Sequence, residues 1–215
     1  MALTTFVVLV IGMLLVAPAE AVVAHLCPTT PSHPRWRTGF FVIGIPVVFA
    51  LLAVAAGRSV VLAPSLVGSL GMLALAAADI TCGRIPNRIV YSTAGGSILA
   101  MLAVSAADGS WSLLGGALVA AVLGSAFVGV IHLVRPDGMG MGDVRLAALV
   151  GLMAGWTGSW YVAALLALLV GFAAGSIAGI GKMLVRRTGM RTQIRFGPYL
   201  VLGALVVMLW RPHAI

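Results

Sequence analysis

Acidic side chains are almost missing from this chain, which has 5 Asp and Glu among 215 residues. Charged residues of both signs make up 8% of it, against about 25% in a soluble globular domain, so a soluble fold is excluded at the outset. Cysteine is equally scarce. Cys27 and Cys82 form no Cys-x-x-Cys or Cys/His set, and neither a disulfide framework nor a zinc site is expected from them. No long linker, low-complexity tract or internal repeat separates the parts of the chain, which leaves no room for an added soluble domain.

What fills the chain is hydrocarbon. Hydrophobic residues reach 61% and the mean hydropathy is +1.15, which implies an all-α polytopic membrane protein. Eight apolar runs approach the length needed to cross a bilayer: roughly 3–26, 40–57, 60–79, 88–106, 112–134, 143–157, 160–181 and 197–210. The sixth and eighth are short, so that an adjoining loop is expected to dip below the interface or the bilayer to thin locally. Residues 1–59 form two N-terminal helices with a short loop, and residues 60–215 a six-helix core that holds everything resembling chemistry. Gly171-x3-Gly175-x3-Gly179 is a small-residue stripe expected to serve close helix packing.

The net charge of +8 does not point to nucleic acid, because the basic residues lie in short connections between apolar runs. If the connections around 27–39, 80–88, 135–145 and 182–196 are cytoplasmic, they hold Arg35, Arg37, Arg84, Arg88, Arg135, Arg145, Lys182, Arg186, Arg187, Arg191 and Arg195, eleven of the 13 basic residues. The positive-inside rule then puts both termini outside and the ends of the third and sixth spans that carry Asp79 and Asp143 in the cytoplasm. A cleaved signal peptide at the start, suggested by Ala17-Pro-Ala-Glu-Ala21, lacks a basic n-region and would turn those basic residues outward, so the first span is expected to remain.

Two of the few acids stand in motifs. A carboxylate at membrane depth costs about 2.5 to 3.5 kcal/mol even on lenient insertion scales, so one retained there is expected to be paired or functional. Asp79 precedes Gly83 and Ile85-Pro86-Asn87: a span end, a turn and a restart, with Asn87 in position to cap the next helix. Asp143 follows Gly138-Met-Gly140-Met-Gly142, a loop whose alternating glycines allow another backbone to lie close. Each motif alone has a structural reading, as a turn with a helix-end Asp and as a helix cap. A phosphate loop is disfavoured by the absence of Gly-Lys-Ser/Thr and by an Asp that would repel the anion.

Together with Phe196-Gly197-Pro198-Tyr199, which opens the last run, these motifs over residues 60–210 resemble the type IV prepilin peptidase family, the GxGD-type intramembrane aspartic endopeptidases. The resemblance implies a bacterial inner-membrane enzyme that removes the short basic leader of prepilins or pseudopilins on the cytoplasmic side, cutting after a Gly. It implies Asp79 and Asp143 as catalytic residues, with Ile85, Pro86, Asn87, Gly138, Gly140, Gly142, Gly197 and Pro198 shaping the loops or touching substrate. The larger members carry a cytoplasmic insertion with two Cys-x-x-Cys pairs associated with N-methylation. Here the 27–39 loop holds only Cys27-Pro28, so methyltransferase activity is expected to be absent.

The chemistry follows from the residues as well. Peptide hydrolysis by two carboxyl groups needs one ionised, to accept a proton from water, and one protonated, to hydrogen-bond the carbonyl. Two neighbouring carboxylates in a poorly solvated site favour holding one proton between them, and that proton belongs to the pair. No cofactor or metal is expected, His132 having no second ligand at suitable spacing. Asp137 reads as a loop residue and Arg145 as an interfacial anchor, with His25 and His33 at interfaces. Glu20, inside the first span, calls for a polar partner. Arg84 or an arginine of 182–196 is the expected contact for an acidic residue beyond the cleavage site, which family substrates share. A cation-coupled transporter would place its acids mid-span in broken helices, and a noncatalytic pilus or secretion scaffold would tolerate loss of either aspartate; both stand as alternatives.

Overall fold

A computed structural model describes residues 2–27, 35–57, 59, 61–134, 139–158, 160–186 and 195–210. Among these the chain forms helices and no strand: α1 (Ala2–Leu14), α2 (Val16–Leu26), α3 (Arg35–Ala56), α4 (Leu62–Cys82), α5 (Asn87–Asp108), α6 (Trp111–Val134), α7 (Met141–Gly155), α8 (Trp160–Arg186) and α9 (Gly197–Trp210). The all-α membrane class expected from composition is what is found. All eight apolar runs are helical, and the first is divided at Leu15. Pro18 explains the division: lacking an N–H, it leaves the carbonyl of Leu14 without its helical donor just where the chain turns.

Six segments are long and apolar enough to cross a membrane: Leu3–Leu26, Trp36–Ala56, Leu62–Cys82, Asn87–Asp108, Trp111–Val134 and Tyr161–Leu184. The expectation that the other two are short holds, with 15 residues in α7 and 14 in α9. At about 1.5 Å per residue α7 is only roughly 22 Å long. Its position accounts for this. Leu146, Ala147, Leu149, Val150, Leu152, Met153 and Ala154 are all buried, so α7 is walled in by protein, chiefly α6, α8 and α9, and has little lipid to match.

Small residues make that enclosure possible. α6 presents Leu114, Ala117, Ala120, Gly124 and Val128 as a buried stripe toward α7. A Cβ added at Gly151 would lie 2.3 Å from the carbonyl oxygen of Ala120, so the two backbones touch. The glycine stripe of α8 also serves packing: Gly171 abuts Leu200 of α9, and Gly175 abuts the ring of Phe196. Large apolar side chains such as Leu99, Val122 and Ile177 point outward, as lipid-facing positions do.

The N-terminal helices carry the partner that Glu20 calls for. Its Oε1 accepts a hydrogen bond from the Thr38 hydroxyl (2.7 Å) and lies 3.8 Å from Nη2 of Arg37. Arg37, expected in a cytoplasmic connection, is instead buried within α3 beside this carboxylate. The absence of a disulfide, expected from cysteine spacing, is also corrected: Cys27 and Cys82 are bonded. Cys27 ends α2 and Cys82 ends α4, two helix ends that the fold sets side by side and that spacing along the chain does not relate.

Candidate active site

Asp79 sits in the last turn of α4, within a stretch from Met72 to Asp79 that is buried throughout. Alanines at 74 and 76–78 keep this stretch thin, so neighbouring helices close around it. The helix ends one turn later because Gly83 adopts a left-handed conformation (φ 63°) and its N–H donates to the carbonyl of Asp79 at 2.8 Å. Pro86 is then extended and starts α5. Asn87 is therefore not the cap expected from sequence but the first residue of the helix, and the carbonyl of Pro86 accepts from Ile89 and Val90.

Asp143 occupies the first turn of α7. Gly140 is extended at the helix start; its N–H donates to Oδ2 of Asp143 at 3.2 Å, and the N–H of Asp143 donates to the Gly140 carbonyl at 3.0 Å. Asp143 thus caps its own helix with one carboxylate oxygen. It also lies close enough to Asp79 for the two carboxyl groups to interact electrostatically. The loop before it is anchored from α6, where Nδ1–H of His132 donates to the carbonyl of Met139 at 2.6 Å. Gly138 and Asp137 lie outside the described residues.

A third element completes the arrangement. α9 begins at Gly197, whose backbone amide faces the Asp79 carboxyl, and a Cβ at this position would lie 2.8 Å from Oδ2. Pro198 follows as the second residue of the helix, where its missing N–H costs no helical hydrogen bond. Oδ2 of Asp79 is buried and has no hydrogen-bond partner among the described residues, although the Gly197 amide faces the same carboxyl group. Just outside, the guanidinium of Arg195 donates to the carbonyl of Ile80 and adds positive charge near Asp79. Arg84 is exposed on the same rim.

Of the residues singled out in the sequence, the structure pairs Asp79 with Gly197 and Asp143 with Gly140, sets the two aspartates within electrostatic reach of each other, and puts Ile85, Asn87 and Gly142 on a neighbouring contact. A Cβ at Gly142 would meet that of Ile85 at 3.1 Å. Arg145, read from sequence as an interfacial anchor, has a defined partner at the helix ends: its Nη1–H donates to Oδ1 of Asn87 at 2.6 Å. Sequence reasoning singled out Arg145 as an anchor and Arg195 within the 182–196 arginines but not their partners, Asn87 and the Ile80 carbonyl, because neither has a local pattern that foretells a contact on another element. Among the described residues no group of three or more His, Cys, Asp or Glu is placed to hold a metal ion.

The model of the type IV leader peptidase family matches residues 66–180, over half of the chain and a range that includes both aspartates. The chain belongs to the type IV leader peptidase family. A prepilin leader peptidase/N-methyltransferase of Aeromonas salmonicida is 29% identical over 144 residues, covering 65% of this chain and 46% of that protein. One from Pseudomonas putida is 32% identical over 107 residues, 47% of this chain and 35% of the relative. One from Pseudomonas aeruginosa is 34% identical over 74 residues, 34% and 24% respectively. The chain thus spans less than half the length of the curated relatives it matches. No solved structure matches it. The family match stops before α9, so the approach of Gly197 to Asp79 is an observation independent of it.

Proposed function

We propose that this protein is an aspartic endopeptidase of the bacterial cytoplasmic membrane that removes the short basic leader of type IV prepilins or pseudopilins on the cytoplasmic side. The observation that supports the reading is that α4 and α7 place two carboxyl groups within electrostatic reach of each other at one end of the bundle, the one on Asp79 buried. Family membership supplies the substrate class.

In this mechanism the pair holds one proton. The ionised carboxylate takes a proton from water as its oxygen bonds to the scissile carbonyl carbon, while the protonated partner gives its proton to the carbonyl oxygen. When the C–N bond breaks, the amine leaves with the proton taken from water, and the diol oxygen returns the other, so the pair ends as it began. The aspartates act as a unit.

The relatives are named N-methyltransferases as well as peptidases. We assign only the peptidase activity to this chain, since its 27–39 segment contains no pair of Cys-x-x-Cys motifs. Co-expression with a panel of candidate prepilins, scored by mass spectrometry, tests both points. Cleavage after a leader Gly is expected from the wild type, with an unmethylated new N-terminus. Asp79→Asn and Asp143→Asn are each expected to lower the rate by about 10²- to 10⁴-fold, the usual worth of a positioned acid or base. Wild-type cleavage in either variant rejects the two-aspartate mechanism.

A further inference from the structure

α7 owes most of its packing to α6, α8 and α9, and its contact with the α4–α5 hairpin is small. Asp143 rides on the first group of helices and Asp79 on the second. α9 bridges to α4 more broadly, so the direct contact of α7 with the hairpin is the narrow part of the seam between the two carboxyl groups. Besides the Gly197–Asp79 approach and the Arg195–Ile80 hydrogen bond made from the α9 side, α7 itself meets the hairpin at the motif-bearing end in two contacts: Gly142 against Ile85, and the 2.6 Å hydrogen bond from Arg145 to Asn87, residues 58 apart in the chain. Each member lies near an aspartate along the chain. Arg145 is two residues beyond Asp143 on the same helix, and Asn87 follows the Gly83–Pro86 turn that ends the helix of Asp79.

We infer that Arg145 and Asn87 form a latch that sets the Asp79–Asp143 separation, making both of them positioning residues for the reaction. Two helices that start side by side put like dipole ends together, so their N-termini gain nothing from being adjacent. A guanidinium donor on one and an amide acceptor on the other supplies the missing attraction, and Gly142 lets Ile85 close the gap beneath it. The latch acts on geometry alone: neither residue carries a proton in the reaction.

The inference rests on the peptidase reading, and the experiment separates the two. Cleavage kinetics with a prepilin substrate in proteoliposomes are measured for wild type, Asp79→Asn, Asn87→Leu, Arg145→Met, the double variant Asn87→Leu/Arg145→Met, and the conservative Asn87→Asp and Arg145→Lys. Loss of the latch is expected to lower kcat about ten- to a hundredfold with KM unchanged, the scale of an ångström misplacement at a reacting centre. The double variant should be no worse than either single, and the two conservative variants should recover most of kcat. Additive losses, a change confined to KM, or wild-type rates in Asn87→Leu would overturn the latch. As a readout free of activity, Ile85→Cys/Gly142→Cys is crosslinked in a chain lacking Cys27 and Cys82; crosslinking should slow when Arg145→Met is added, and an unchanged rate counts against the latch. If instead Asp79→Asn cleaves as wild type does, the peptidase mechanism fails first, whatever the crosslinking records.

Discussion

A single methyl group at position 197 is enough to disturb this site. The Cβ of Gly197→Ala would stand 2.8 Å from Oδ2 and 3.1 Å from Cγ of Asp79, so either α9 retreats or the carboxyl turns away. We expect cleavage by Gly197→Ala to fall about tenfold or more, since reacting groups tolerate little displacement, while the protein still assembles. Leader processing and the melting temperature, measured together, check this; an unchanged rate would remove Gly197 from the site. The residue scale is also where the sequence speaks most directly. Asp79 and Asp143 were legible because a carboxylate in so apolar a chain stands out, and because glycine and proline around each one have backbone consequences that can be read locally. The partnership of Arg145 with Asn87, and of Glu20 with Arg37 and Thr38, was not legible. Those pairings depend on which helix ends the tertiary packing sets together, which no short window of sequence encodes.

At the scale of elements, the α6–α7 crossing is the tightest joint around Asp143. Gly151→Ala places a Cβ 2.3 Å from the Ala120 carbonyl oxygen and 2.8 Å from its carbon, backbone atoms that cannot rotate aside. Overpacking of this kind costs about 1 to 3 kcal/mol. Thermal unfolding in detergent should show a clear loss for Gly151→Ala and none for Gly115→Ala, whose added Cβ meets nothing within 4 Å. Equal behaviour of the two variants would mean that the crossing is looser than described. Helix existence was readable from apolar run length, and the shortness of α7 and α9 was too. Why they are short was not: the reason is burial among other helices, a property of the bundle. The division of the first run at Leu15 was foreshadowed by Pro18 but hidden by uniform hydrophobicity on both sides.

For the whole molecule, two exposed positions at opposite helix ends report which side of the membrane the aspartates face. Arg84 lies just beyond α4 and Asp108 closes α5. In a chain with Cys27 and Cys82 replaced by Ser, we expect Asp108→Cys to react with an impermeant maleimide on intact spheroplasts and Arg84→Cys to react only after permeabilisation. The reverse pattern would place the proposed catalytic end outside and end the cytoplasmic reading. The walled-in position of α7 bears on how such a molecule is made. A helix of 15 residues that bears Asp143 and Arg145 offers the insertion machinery little reason to release it into lipid alone. We expect it to enter as a hairpin with α6, the helix it packs against most, so that assembly of the bundle and creation of the proposed site coincide.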